Sequence, residues 1–240
     1  MLTNLDLHKI LFLDIETVPL YESFALVPEI EQTYFGEKTA YQRKKDQTPE
    51  EFYEKAGIWA EFGKIICISV GYFTPQQNPR DFRLKSFYGK EVDLLKEFKS
   101  LVGTYFSTPY HLLCGHNAKE FDFPYIARRM LILGIELPKP LELFNKKPWE
   151  VPHLDTLHLW RFGDYKHYTS LKLMAHVLGI PSPKDDIDGS QVAGVYYKEK
   201  NLDRIVQYCE KDVITVAQVI LKLRNEPLLT EKEITLSVQG

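Results

Sequence analysis

The segment Lys9–Ile15, with the sequence KILFLDI, constrains the fold more than any other part of this chain. Its apolar side chains occupy consecutive positions, so both faces of an extended backbone would be apolar. A strand of this kind is typical of the centre of a sheet that is covered on both sides. The segment therefore predicts a central strand with further structure packed on each face.

The pattern of the remaining chain predicts a three-layer α/β fold, with a mixed central sheet flanked by helices. The chain of 240 residues is interpreted as a single domain, 1–240, with a partly helical insertion at about 18–63 between the first two strands. The turn-forming string TPQQNPR predicts a hairpin, and the tail after Pro227 has no assignable role. Further strands are predicted at 64–73, 81–88 and 110–115, and helices at 91–106, 123–133, 170–178 and 202–224.

Composition excludes several classes of protein. With 44% hydrophobic and 26% charged residues, the chain is neither disordered nor collagen-like. The net charge of −3 argues against a surface that binds polyanions over its whole extent, so any nucleic-acid binding must be confined to a local region. No apolar run is long enough to predict a transmembrane helix, and the pattern of the first residues does not predict a signal peptide. Its three cysteines are far apart among apolar neighbours, which predicts buried thiols in a cytoplasmic protein.

Asp14 and Glu16 end the first strand two residues apart, so strand geometry places them on one face. They lie at the carboxyl end of a buried strand, where open α/β sheets commonly bind ligands. Two close carboxylates need a cation, a shared proton or full solvation. Taken alone, the pair could also be a solvated strand end.

The string HNAKEFD follows the predicted strand at 110–115 and places Asp122 at the start of a helix. Asp122 alone has the ordinary interpretation of a helix N-cap, because aspartate is a favoured cap and Pro124 suits a first helical turn. Asn117 is interpreted either as a turn residue or as a substrate contact.

Asp212 is the most informative acidic residue. It lies about 60° from the centre of the apolar stripe of the last helix, at the edge of the surface that faces the core. An unpaired carboxylate is costly there. Tyr208 lies one turn earlier on the same flank, and the two side chains together favour a polar cleft over a core position.

The four carboxylates Asp14, Glu16, Asp122 and Asp212 have one common explanation. Hard divalent cations prefer oxygen ligands, and four acidic side chains can hold two Mg²⁺ or Mn²⁺ ions. Two such ions about 3.5–4 Å apart stabilise both the attacking and the leaving oxygen in phosphodiester hydrolysis.

The set resembles the DEDD superfamily of 3′→5′ exonucleases, which have a ribonuclease H-like fold. LFLDIET is similar to the first motif and supplies Asp14 and Glu16, HNAKEFD is similar to the second, and YCEKD is similar to the third. A tyrosine four residues before the last aspartate marks the Tyr subclass. The segment HLDTLHLW, which contains Asp155, resembles the exonuclease domains of family-B DNA polymerases, and a stand-alone group of predicted exonucleases related to them is the best match.

The resemblance implies a metal-dependent 3′→5′ exonuclease that releases nucleoside 5′-monophosphates from single-stranded nucleic acid, with DNA favoured over RNA. In that mechanism the four carboxylates hold two divalent cations, and the Tyr208 hydroxyl orients the attacking water. Thr17, Asn117 and Phe121 are candidate substrate contacts. Candidate phosphate contacts are Arg128, Arg129, Lys166, His167 and the run Arg43-Lys44-Lys45, although the ordinary interpretation of each is a solvated surface charge. Phe121 and Tyr168 are candidate stacking residues, although the ordinary interpretation of both rings is core packing.

Two other functions stay open on the sequence alone. One is a catalytically silent nucleic-acid-binding module on the same fold, although all four carboxylates are present. The other is an exoribonuclease, because contacts to the sugar cannot be identified from sequence. Motifs typical of nucleotide-binding and serine-hydrolase sites are absent, which argues against those enzyme classes.

Overall fold

A six-stranded mixed sheet forms the centre of the computed structural model, which describes residues 2–77, 80–181 and 187–237. The strands are β1 Ile10–Pro19, β2 Gly63–Gln77, β3 Arg80–Tyr88, β4 Leu112–Gly115, β5 Leu154–Asp155 and β6 Ile234–Leu236. They lie in the order β5-β4-β1-β2-β3-β6. Antiparallel pairing joins β1 to β2 and β2 to β3, whereas β1–β4, β4–β5 and β3–β6 are parallel pairs.

Helices cover both faces of this sheet. They are α1 Glu29–Thr39, α2 Pro49–Phe52, α3 Glu91–Tyr105, α4 Asp122–Ile132, α5 Thr156–Arg161, α6 Leu171–Val177, α7 Val192–Gly194 and α8 Leu202–Leu223. A π-helix, Val195–Glu199, connects α7 to α8. Short 3₁₀ turns lie at Leu2–Asn4, Leu7–Lys9, Phe24–Leu26, Tyr53–Ile58, Lys139–Leu141, Pro148–Glu150 and Glu231–Glu233.

The central strand β1 divides the core into two layers, as its apolar sequence predicts. Leu11, Leu13 and Ile15 pack with buried residues of α3 and α4 on one face. Ile10 and Phe12 pack on the opposite face, where buried residues of α8 cover them. The mixed α/β architecture predicted from the sequence is therefore confirmed, and the face that carries the even-numbered β1 residues is the one that α8 covers.

Several short elements were not predicted, among them β5, α5, β6, α7 and the π-helix that follows α7. β5 and the start of α5 lie within the segment HLDTLHLW, and β6 forms from the tail that had no assignable role. β6 joins the sheet beside β3, where Arg80 Nε donates to Glu233 Oε1 at 2.8 Å. The tip of the predicted hairpin, residues 78–79, lies outside the described residues, and β2 extends through Gln77.

The segment between β1 and β2 has a small aromatic core of its own. Phe35 is fully buried there, with the rings of Tyr53 and Phe62 at 5.3 and 5.2 Å. Backbone carbonyls of this segment accept hydrogen bonds from α4, because the Tyr125 hydroxyl donates to Gly57 at 2.9 Å and Arg129 Nη1 donates to Ala60 at 2.9 Å. The segment is thereby fixed against the helix that begins at Asp122.

Gly115 ends β4 at a point where the chain must turn tightly. A Cβ at this position would lie 2.5 Å from Ala118 Cβ and 3.1 Å from the Leu13 carbonyl oxygen. Gly115→Ala is therefore expected to lower the free energy of unfolding by about 1–3 kcal/mol, through overpacking. Urea unfolding measures this, with Gly103→Ala as the matched control: Gly103 lies in α3 with no atom near an added Cβ, so this change should stabilise the protein. Equal stability of both variants would contradict the prediction.

Candidate active site

The end of β1 places Asp14 and Glu16 on the face that α8 covers. One carboxylate oxygen from each side chain and Cys209 Sγ on α8 all lie within 4.8 Å of one another. Glu16 is only 7% exposed, and Asp14 is half-buried. The sequence prediction that both carboxylates share one face is therefore confirmed, and the solvated strand end is excluded for Glu16.

Asp122 joins this group from the other side of β1. β4 ends at Gly115, and the turn that follows brings Asp122, only 4% exposed, back towards β1. Its Oδ1 accepts the Ile15 backbone N–H at 3.2 Å. Phe121 is the N-cap of α4 and Asp122 the first helical residue, so the N-cap interpretation of Asp122 is wrong. The side chain instead ties the start of α4 to the end of β1.

Asp155, at the end of β5, organises the turn that leads to Asp122. Its two carboxylate oxygens accept backbone N–H groups of Asn117 and Lys119, both at 3.0 Å. The same side chain accepts the N–H groups of Leu157 and His158 and so caps α5. Because four backbone N–H groups bind the carboxylate of this buried residue, Asp155 holds the turn that leads to Asp122 in place.

Helix α8 contributes Tyr208 and Asp212, one turn apart and hydrogen-bonded to each other. Burial and the negative charges of Asp212, Glu16 and Asp14 raise the pKa of the Tyr208 hydroxyl. The phenol therefore stays protonated at neutral pH, and its oxygen has a free lone pair for a second hydrogen bond.

The electrostatics of the site favour a bound cation. Burial, followed by the charges of Asp122, Asp212 and Glu16, raises the pKa of Asp14. Burial and the charges of Asp212, Cys67 and Asp122 likewise raise the pKa of Glu16, and that of Asp122 rises to about 7, mainly through burial. Several acids that resist ionisation together can ionise once a divalent cation neutralises them, so this oxygen-rich donor set fits Mg²⁺ or Mn²⁺.

A cleft of about 320 Å³ opens over the acidic group. Asp14, Asp212 and Tyr208 line one side of it. His116 and Tyr168 line the other, with His116 bonded through Nδ1 to the Thr156 hydroxyl at 2.9 Å and through Nε2 to the Thr169 carbonyl at 2.9 Å. Asp14 and Asp212 thus face the cleft, whereas Glu16 and Asp122 are buried behind it.

The three candidate substrate contacts lie around the carboxylates. Thr17 follows a β-bulge after Glu16 and is hydrogen-bonded to the Tyr125 hydroxyl. Asn117 has a positive φ of 60°, which asparagine tolerates, and its carbonyl accepts the Phe121 N–H at 3.0 Å. The Phe121 ring is half-buried, 5.3 Å from the Tyr125 ring. Their roles in substrate binding stay predictions.

Two of the candidate phosphate contacts have structural roles instead. Arg129 is buried, and its Nε and Nη2 bind both carboxylate oxygens of Glu91 at 2.8 and 2.6 Å, so the prediction that it contacts phosphate is wrong. Arg43 binds the backbone carbonyls of Gln47 and Gly36, both at 3.0 Å. The exposed candidates are Arg128, Lys44, Lys45, Lys166 and His167.

Sequence reasoning missed the position of Cys209. Its thiol lies 3.4 Å from the backbone oxygen and from Oδ2 of Asp14, and it is hydrogen-bonded to Cys67. The helical spacing could have predicted a position near the carboxylates, because Cys209 is three residues before Asp212 and therefore lies on the same face of the helix. Its apolar neighbours favoured a core thiol, and the structure shows that it is buried and also contacts the acidic group.

Tyr208→Phe tests the role of the phenol. Removing the hydroxyl leaves all four carboxylates, so turnover of a nucleic-acid substrate is expected to fall about 10- to 100-fold without being eliminated. Single-turnover kinetics measure the change. Tyr197→Phe is the matched control, because the Tyr197 hydroxyl binds the Pro19 carbonyl outside the cleft. Equal rates for both variants would argue against an orienting role for Tyr208.

A family model described as a predicted 3′–5′ exonuclease related to the exonuclease domain of PolB matches residues 58–233 of the chain. The match begins just before β2 and includes the second and third motifs.

A family-B DNA polymerase from the hyperthermophilic archaeon Pyrobaculum calidifontis has a similar fold, with a TM-score of 0.55 at 15% identity. The similarity covers 90% of this chain and 24% of the polymerase, so the chain spans about a quarter of that protein's length. Among the residues that the structure describes, no helix is long and apolar enough to cross a lipid bilayer.

Proposed function

Because the chain belongs to the family of predicted 3′–5′ exonucleases related to the exonuclease domain of PolB, we propose that it removes nucleoside 5′-monophosphates from the 3′ end of single-stranded DNA. The observation that carries the proposal is the convergence of Glu16, Asp122 and Asp212 on Asp14, beside a cleft that Asp14 and Asp212 line. Few structural roles explain such a group, since close buried carboxylates destabilise a fold unless a cation neutralises them.

The four carboxylates would hold two divalent cations, Mg²⁺ or Mn²⁺. What the cations supply when bound is positive charge, which favours hydroxide as the nucleophile and offsets the charge that develops on the phosphate. Asp14 is central to the group, because the charges of the other three carboxylates all act on it. In this proposal it would contribute to both cation sites.

Tyr208 would position the nucleophile. Its hydroxyl donates to Asp212, so the phenol oxygen can accept a hydrogen bond from a water at the mouth of the cleft. That water attacks the terminal phosphorus and loses a proton to solvent, while the bond from phosphorus to the 3′ oxygen breaks and the 3′ oxygen takes up a proton from solvent. Since the raised pKa keeps the phenol protonated, it orients the water and does not act as a base.

The proposal is tested with 5′-labelled single-stranded DNA and RNA of one sequence, resolved on a gel. Wild-type protein with Mg²⁺ or Mn²⁺ should give a ladder that shortens from the 3′ end, and EDTA should abolish it. Asp212→Asn should give no ladder. Asp203→Asn is the matched control, because Asp203 is an exposed acid in the first turn of the same helix.

The relative rates on the two substrates assign the sugar. Faster shortening of RNA would replace the DNA preference with an exoribonuclease. Binding of either strand without cleavage would favour the silent module, and neither binding nor cleavage would contradict a nucleic-acid substrate.

A further inference from the structure

A surface loop at the mouth of the cleft exposes three aromatic rings. Residues 161–168, RFGDYKHY, connect α5 to the segment before α6, and we call them the aromatic loop. Phe162 is 86% exposed, Tyr165 is 74% exposed and Tyr168 is 64% exposed. Exposure of an aromatic ring to water is unfavourable in free energy. These three rings do not pack into the core of the chain, so they do not stabilise the fold by burial.

Phe162 also has an unfavourable backbone conformation. It ends α5 with φ 43° and ψ 35°, in the left-handed region, and Gly163 follows with φ 93°. A bulky residue at positive φ is strained, and glycine is the residue that helix ends normally use there. Neither folding nor local conformation therefore favours a phenylalanine at this position, which indicates a role for the ring outside the fold.

Both ends of the aromatic loop are attached to the candidate active site. At one end, Arg161 Nη1 donates to Glu120 Oε1 at 3.3 Å, and Glu120 lies two residues before Asp122. At the other end, the Tyr168 ring lies edge-on to His116 at 6.2 Å and lines the cleft with the carboxylates. The loop that carries Phe162 and Tyr165 is therefore anchored next to the cleft at both of its ends.

The charge of the aromatic loop suits a polyanion. The Arg161 guanidinium lies 5.7 Å from the centre of the Tyr165 ring, and Lys166 is exposed beside it. The one acid of the loop, Asp164, accepts the Lys166 N–H at 3.0 Å and is bonded to His167 Nδ1 at 3.2 Å. Aromatic rings interleaved with cations are the pattern that single-strand-binding surfaces use.

We propose that the aromatic loop binds the single strand immediately upstream of the nucleotide being removed, with bases stacked on Phe162 and Tyr165 and a phosphate beside Lys166. The inference rests on the proposed function, because the strand's 3′ end must lie at the carboxylates. It gives Phe162, Tyr165 and Lys166 a role in the affinity for oligonucleotides, and none in the hydrolysis of a single nucleotide ester.

Phe162→Gly tests the proposal without endangering the fold. Glycine suits the left-handed conformation, so thermal stability should stay equal or rise. Loss of one stacked base should raise the KM for a single-stranded 12-mer about tenfold, and weaken its binding in EDTA by a similar factor. Hydrolysis of the p-nitrophenyl ester of thymidine 5′-monophosphate, which has no upstream bases, should not change.

Two further variants sharpen the test. Tyr110→Ala removes an exposed ring at the opposite end of β4 and should change neither value. Lys166→Gln should weaken binding and reduce its salt dependence, whereas the effect of Phe162→Gly should be similar at every salt concentration.

The outcomes separate this inference from the proposed function. Unchanged oligonucleotide binding and KM in Phe162→Gly would overturn the role of the loop, and would leave its rings as a contact for another protein. Wild-type protein that binds the 12-mer but hydrolyses neither substrate would overturn the proposed function, while weaker binding by Phe162→Gly would still support the loop. Absence of binding by wild-type protein would overturn both.

Discussion

Asp14→Asn is expected to lower exonuclease turnover by about 10³-fold or more while leaving the fold intact. Asparagine matches aspartate in shape and removes only the charge. Asp14 lies at the centre of the acidic group, 3.4 Å from Cys209 Sγ and under the influence of the three other carboxylates. Loss of its charge should therefore weaken both of the proposed cation sites at once.

The measurement is turnover of labelled single-stranded DNA at saturating Mn²⁺, with circular dichroism and thermal melting to establish that the variant is folded. In EDTA the variant should melt at a higher temperature than wild type, because removing one charge relieves repulsion among buried acids. Turnover near the wild-type rate in folded Asp14→Asn would refute the proposed site. Lower thermal stability in EDTA would contradict the electrostatic account.

Asp122→Asn is expected to change how stability depends on pH. In the folded chain the pKa of Asp122 is about 7, whereas an unfolded aspartate titrates near 4. Between pH 4 and pH 7 the folded chain keeps the Asp122 proton, whereas the unfolded chain releases it. The contribution of Asp122 to the free energy of unfolding is therefore fully present below about pH 4 and is lost as the pH rises to about 7. Asparagine keeps an oxygen acceptor for the Ile15 N–H and should raise the free energy of unfolding at pH 7.5 by about 1–3 kcal/mol.

Urea unfolding in EDTA at pH 4.5 and 7.5 measures this difference. The advantage of Asp122→Asn should appear at the higher pH and shrink at the lower one. Asp122→Ala should gain less, because it leaves the Ile15 N–H without its acceptor. Saturating Mn²⁺ should remove the advantage by stabilising wild-type protein selectively. A pH-independent difference between Asp122→Asn and wild type would contradict the raised pKa.

Long periodic elements of this fold were predictable from the sequence. KILFLDI has apolar residues on both faces, and the structure places β1 between two helical layers. The stripe of α8 predicts a helix at 202–224, and the structure has Leu202–Leu223. In both elements the spacing of apolar residues indicates which faces are buried, because each face contains several residues.

Short elements were not predictable, because pairing partners that are distant in sequence define them. β5 has two residues and β6 has three, so neither can show a periodic pattern. β6 is a strand because β3 offers an edge and Arg80 binds Glu233, 153 residues away along the chain. Nothing local to residues 234–236 contains that information.

The candidate site shows the same division. Strand and helix geometry placed Asp14, Glu16 and Asp212 on the correct faces, because each direction follows from one element. Arg128 is exposed whereas Arg129 is buried, and their positions in the sequence could not predict this difference. Arg129 turns inward because Glu91 at the start of α3 supplies both carboxylate oxygens, and that contact exists only in the assembled fold.

The four carboxylates come from β1, the start of α4 and the middle of α8, with nearly 200 residues between Asp14 and Asp212. Contacts over such sequence separations form late in folding, because the intervening chain must lose conformational entropy before these contacts stabilise it. A refolding chain would thus reach native secondary structure while still inert, and nuclease activity should return only in the slowest kinetic phase. Incompletely folded molecules would then leave neighbouring nucleic acids undamaged.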